Sequence, residues 1–140
     1  MKEKTQIKVI LSIFGDEFLP ENLTQLLNIS PSKSWIKGDK VHDRNNLYRK
    51  ESSWDYEIGF VQTLFLDEVY NMLLTVFENN INALKNYITE NNLEVKIYIV
   101  IEIYDEEKPS IYFERRFLIF LNELNAEVDM DMYMLKNYEE

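Results

Sequence analysis

Isoleucine stands at every second position from Ile97 to Ile103, and Tyr98, Val100, Glu102 and Tyr104 fill the alternate positions. A period of two with β-branched residues on one side marks a strand with one buried face. Residues 95–104 are therefore expected to form the strongest strand, lying centrally in a sheet. The opposite face of that strand carries a carboxylate among tyrosines. A partly buried carboxylate needs a partner, for which Arg115 or Arg116 is a candidate, and an uncovered face of this kind would be a binding surface.

The same periodicity places other strands. Ile7, Val9, Leu11 and Ile13 alternate with Gln6, Lys8, Ile10 and Ser12, which predicts a first strand over 5–14. Trp54, Tyr56 and Ile58 share one side of a strand that is expected to end near Gly59. Val128, Met130 and Met132 alternate with Asp129, Asp131 and Tyr133 in a last strand. Between these, apolar residues recur at three- and four-residue steps. Pro20 suits a first helical turn, with Leu23, Leu26 and Leu27 on one side of a helix ending near Asn28. Tyr70, Leu73, Leu74, Phe77, Ile81, Leu84 and Ile88 predict one long helix over 67–90, capped by Asp67 and stopped by Asn91-Asn92. Residues 114–125 predict another, after a turn at 105–109 and a brief extended piece around Ile111 and Phe113. Residues 33–53 read as loop, with a short strand around Trp35.

Strands and helices are interspersed without a regular strand-helix repeat. The expected fold is a single α+β domain over 1–140: a two-layer sandwich with a mainly antiparallel sheet and helices 67–90 and 114–125 packed on one face. A chain of 140 residues suffices for one core, and without cysteine its stability rests on packing. The apolar run 9–14 is too short for a signal peptide, and no run approaches the roughly 20 residues of a membrane span. A cytoplasmic protein that does not engage membranes is expected. The net charge of −10 disfavours nucleic acid as a partner over most of the surface.

One segment departs from that acidity. Residues 33–50 hold six basic side chains against Asp39 and Asp43, and both tryptophans, Trp35 and Trp54, lie in or beside it. One reading makes Gly38-Asp39 a turn, with the indoles packed at the edge of the core. The other makes Trp35 and Trp54 the walls of a small pocket, with Lys37, Gly38, Asp39 and Arg44 at its rim and Arg49 nearby to attract an anion. No glycine-rich phosphate loop accompanies it. His42 is the only histidine, which rules out multi-histidine metal sites, and no nucleophile elbow surrounds any serine. Asp129 and Asp131 share a strand face and could join Glu102 around a hard cation, but they read more simply as the wet side of an edge strand. No catalytic residue, cofactor or resident metal is expected.

The ordered set Phe18-Leu19-Pro20, Leu26-Leu27-Asn28-Ile29, Trp35-Ile36-Lys37-Gly38-Asp39, Trp54 and Ala126-Glu127-Val128-Asp129-Met130-Asp131-Met132-Tyr133 resembles the bacterial domain of unknown function 4279 over nearly the whole chain. The resemblance implies a small, mostly single-domain bacterial protein without an established activity, some of whose relatives look like immunity proteins of toxin systems. It supplies no accepted catalytic residues. Trp35, Lys37, Gly38, Asp39 and Trp54 carry over only as family-typical positions.

The expected function is therefore binding rather than catalysis. An acidic, tyrosine-containing surface with Glu102, Asp105, Glu106, Glu107, Asp129 and Asp131 would recognise a protein. In the sharpest form the chain is an immunity or antitoxin protein facing a basic toxin domain. The alternative is a small-ligand domain or weak enzyme using the pocket between Trp35 and Trp54, and a homodimer is a third.

Overall fold

In the first strand, β1 (Gln6–Gly15), Ile7, Val9, Leu11 and Ile13 are fully buried. This computed structural model describes residues 2–41 and 46–138. A short helix follows, α1 (Pro20–Leu27), entered through Pro20 and closed by Asn28 in the left-handed conformation, whose N–H reaches the Thr24 carbonyl. The chain then lays down β2 (Lys33–Trp35) and β3 (Ser52–Gln62). Next come α2 (Leu66–Phe77), α3 (Ile81–Glu90), β4 (Glu94–Tyr104), α4 (Arg115–Leu124) and β5 (Glu127–Leu135).

These five strands form one sheet in the order β2-β3-β1-β4-β5. Only the β4–β5 pair is parallel. The helices cover one face, as expected of an α+β two-layer sandwich. Parallel neighbours need a crossover, and α4 supplies it. As expected, β4 is an interior strand, flanked by β1 and β5, and β1 holds the middle position. Alternation reports which face is buried, not how many strands lie alongside.

Two element boundaries differ from expectation. The single helix over 67–90 is two helices, joined by a 3-10 turn at Glu78–Asn80. Asn79 and Asn80 compete for backbone hydrogen bonds and weaken the helix there, while the apolar stripe continues on both sides. Asp67 lies inside the first turn of α2, and Phe65 precedes the helix without a side-chain cap.

Strand β3 does not stop at Gly59. A bulge shifts the register between Ile7 paired with Val61 and Val9 paired with Ile58. Gly59 has φ +106°, and a Cβ there would lie 2.6 Å from the Ile7 carbonyl oxygen, so only glycine fits. The extra residue turns Phe60 to the outer face, beneath Lys8 Nζ at 4.3 Å, and returns Val61 to the core side. The extended piece at 110–113 makes one bridge, between Ser110 and Phe65.

Burial concentrates between the sheet and the helices. Trp54, Tyr70, Phe77 and Phe117 are the largest fully buried side chains. Trp54 meets Phe77 edge to face at 6.0 Å, and its Nε1 donates to Thr24 Oγ1 at 3.0 Å, which ties α1 to β3. Each fully buried Leu, Ile or Phe in this layer stabilises the fold by roughly 1.5–3 kcal/mol. Among the described residues no helix lies on the other face of the sheet.

Candidate functional site

That uncovered face follows from strand parity. It receives Gln6, Lys8, Ile10, Ser12 and Phe14 from β1 and Lys96, Tyr98, Val100, Glu102 and Tyr104 from β4, which are mostly half-buried. From β5 it receives Asp129, Asp131 and Tyr133, aligned with Tyr98, Val100 and Glu102. From β3 come Ser53, Asp55 and Glu57.

The candidate acids fall on its β4–β5 half. Asp129 and Asp131 are exposed and, among the described residues, have no ion pair or hydrogen bond to their carboxylates. Glu102 is held differently from expectation: Oε1 accepts from Gln6 Nε2 at 2.6 Å. Arg115 and Arg116 start α4 in the helical layer, where Arg116 donates to Glu78 at 2.6 Å and to Asn71 at 2.7 Å.

The turn that follows β4 adds Asp105, Glu106 and Glu107. Asp105 and Glu106 both have positive φ, and Glu107 N–H closes the turn on the Tyr104 carbonyl. Asp105 is engaged by the chain itself, accepting from the Asn137 backbone N–H at 3.1 Å and from Asn137 Nδ2 at 2.8 Å. Those bonds hold its carboxyl below the ordinary value. Glu106 and Glu107 remain exposed beside it.

The tryptophans do not share a pocket. In the β2–β3 register Trp35 pairs with Ser53 and Ser34 with Trp54, so the two indoles point to opposite faces. Trp54 is in the core and Trp35 is on the open face, with the Arg49 guanidinium 3.9 Å from its ring centroid. A pocket walled by both is thus ruled out. A one-residue offset sends neighbouring side chains across the sheet.

The remaining rim residues build a turn. Gly38, at φ +93°, allows the Asp39 N–H to reach the Ile36 carbonyl, and the Asp39 carboxylate accepts from the Ile36 N–H at 2.9 Å. Hydrogen bonds from Gly38 N–H to the Arg49 carbonyl and from Val41 N–H to the Leu47 carbonyl continue the antiparallel pairing past the turn. Lys37 Nζ pairs with Asp16 at 2.7 Å, a bond that raises its pKa. His42, Asp43 and Arg44 lie outside the described residues.

Sequence reasoning missed a depression of about 410 Å³ on the open face, lined in part by Phe14, Trp35, Asp55, Lys96 and Tyr98. Its signal was present: Ser12 and Ser53 interrupt strands at positions that apolar residues could occupy. Two larger concavities lie elsewhere. One of about 750 Å³ lies where α3 and α4 end, and its polar lining includes helix-end groups already bonded within the chain. The other, of about 510 Å³, is an apolar groove between α4 and the α2–α3 junction. Among the described residues no group of His, Asp and Glu is arranged to hold a metal ion, and no helix is long and apolar enough to cross a membrane.

Fold and site together define an α+β sandwich that presents one bare sheet face, with acids and tyrosines along one half of it. The chain belongs to the family described as domain of unknown function (DUF4279), whose model matches residues 5–135. No curated protein and no solved structure matches the chain.

Proposed function

We propose that the protein works by binding a basic protein partner on the β4–β5 half of its open sheet face. The observation that carries this reading is the placement of Asp129 and Asp131, exposed and without counter-ions among the described residues, beside Tyr98 and Tyr133. Unpaired carboxylates cost nothing to leave in water, and they gain on meeting a cation. Tyrosine adds contact area at low entropic cost. Glu102, Glu106 and Glu107 extend the same negative side, and the net charge of −10 steers a basic partner toward the molecule. Asp105 contributes charge but, with both oxygens engaged by Asn137, few free acceptor sites.

An immunity or antitoxin role is the sharpest form of this proposal, because an acidic cover can occlude the basic cleft of a toxin that attacks nucleic acid. The test expresses the chain with the products of its neighbouring genes. A basic partner should co-purify, and association should slow as salt rises. The double variant Asp129→Lys/Asp131→Lys should slow it by about tenfold or more. Undiminished association of that variant would remove the electrostatic basis of the reading.

A further inference from the structure

One row of the open face sets opposite charges apart around a polar floor. Asp55 of β3, Ser12 of β1 and Lys96 of β4 are cross-strand neighbours, so the acid and the base are two strand spacings apart, about 10 Å between Cα atoms. They form no ion pair with each other among the described residues. Asp55 is held in place: Ser12 Oγ donates to its Oδ1 at 2.7 Å and Ser53 Oγ at 2.8 Å. Both serines are buried, at 6% and 2% exposure. Among the described residues Asp55 Oδ2 has no hydrogen bond, so it is left to accept.

Aromatic side chains flank this polar row. Phe14 flanks Ser12 on β1, and Trp35 and Tyr98 stand on either side of the depression, the first fixed by the stacked Arg49. Lys96 Nζ rests 5.7 Å from the Tyr98 ring centroid, a loose contact that a long side chain can leave at little cost. A volume of about 410 Å³ falls within the range of small-molecule sites. Two buried hydroxyls on one carboxylate oxygen fix the direction in which the other oxygen points.

We propose that this depression binds a small zwitterion of the α-amino acid class with an apolar or aromatic side chain. The ligand ammonium donates to Asp55 Oδ2, its carboxylate accepts from Lys96, and its side chain packs on Phe14, Trp35 and Tyr98. A purely cationic ligand would leave Lys96 opposed, and a purely anionic one would meet Asp55 and Glu51, which also lines the depression. The site lies over β1, β3 and β4 and does not depend on the protein-binding proposal.

The test follows tryptophan emission while L-leucine and L-phenylalanine are titrated into the intact protein, with calorimetry alongside. Trp35 is the reporter, since Trp54 is enclosed. At least one of the two should give saturable binding with a dissociation constant of about 1 mM or tighter. Asp55→Asn, Lys96→Met, N-acetyl-L-leucine and L-leucine amide should each weaken it at least about tenfold, the consequence of losing one charge-assisted bond. The blocked ligands leave the protein unaltered and Lys96 is only half-buried, so these arms keep the test valid even if Asp55→Asn destabilises the fold. No saturable response to either amino acid, or equal affinity for the blocked forms, overturns the proposal.

Discussion

Replacing Tyr70 by phenylalanine isolates the two hydrogen bonds that fasten the sheet-to-helix crossover. The Tyr70 ring is fully buried and stacks on Phe117 at 4.2 Å and 6°. Its hydroxyl donates to the Tyr112 carbonyl and accepts from the Glu114 N–H, both at 2.8 Å, and so joins α2 to the segment that starts α4. Tyr70→Phe keeps the ring and deletes both bonds. Each costs roughly 0.5–1.5 kcal/mol net, more where the partner is left buried and unpaired, so about 2 kcal/mol is expected.

Urea unfolding measures this. With a slope of about 1–3 kcal/mol/M, the midpoint should fall by roughly 1 M while the slope stays constant. Burial also raises the Tyr70 pKa above its ordinary value of 10.0, against a lowering by the bond to Glu114. A raised folded pKa contributes stability that is complete below pH 10.0 and is lost as pH climbs through the higher folded value. The variant should lack that part of the alkaline loss. A midpoint change worth less than about 0.5 kcal/mol, with an alkaline limb identical to the parent, would refute this account of Tyr70.

Three further perturbations test other parts of the structure. Trp35→Phe should abolish most of the emission that iodide quenches and leave a blue-shifted, shielded Trp54 signal; quenching of this variant equal to that of the parent would contradict the placement of the two indoles on opposite faces. Gly59→Ala should destabilise by about 1–3 kcal/mol in denaturant, through the positive φ and the Cβ clash with Ile7, and wild-type stability would count against the bulge. Glu78 has its pKa lowered from 4.5, chiefly by the hydrogen bond from Arg116. Its contribution is present above pH 4.5 and lost as pH falls through the lower folded value, so Glu78→Gln should flatten the acid limb of the stability curve, and an unchanged limb would rule the pair out as a contributor.

Much of the fold was legible because single faces were marked by strong periodicity. Ile7 through Ile13 and Ile97 through Ile103 are buried on one side, and Asp129 and Asp131 share the other, as alternation required. The break at Glu78–Asn80 was harder to see, since an apolar stripe can continue across a tightened turn. The extension of β3 past Gly59 was hidden by the bulge, which changes parity without any polar residue to announce it. The candidate site was less legible. Trp35 and Trp54 looked like partners because both are large and close in sequence, but side-chain direction depends on register.

By itself, the sequence determined a single acidic α+β layer pair, the residues that face inward, and the acidic character of β5, because these depend on local period and composition. Tertiary structure alone decided that β1 is central, that the two indoles lie on opposite faces, that Asp105 is engaged by Asn137, and that Asp55 and Lys96 face each other across Ser12. Those facts depend on which strands become neighbours and in what register, and that is set by the packing of the whole chain rather than by any segment of it.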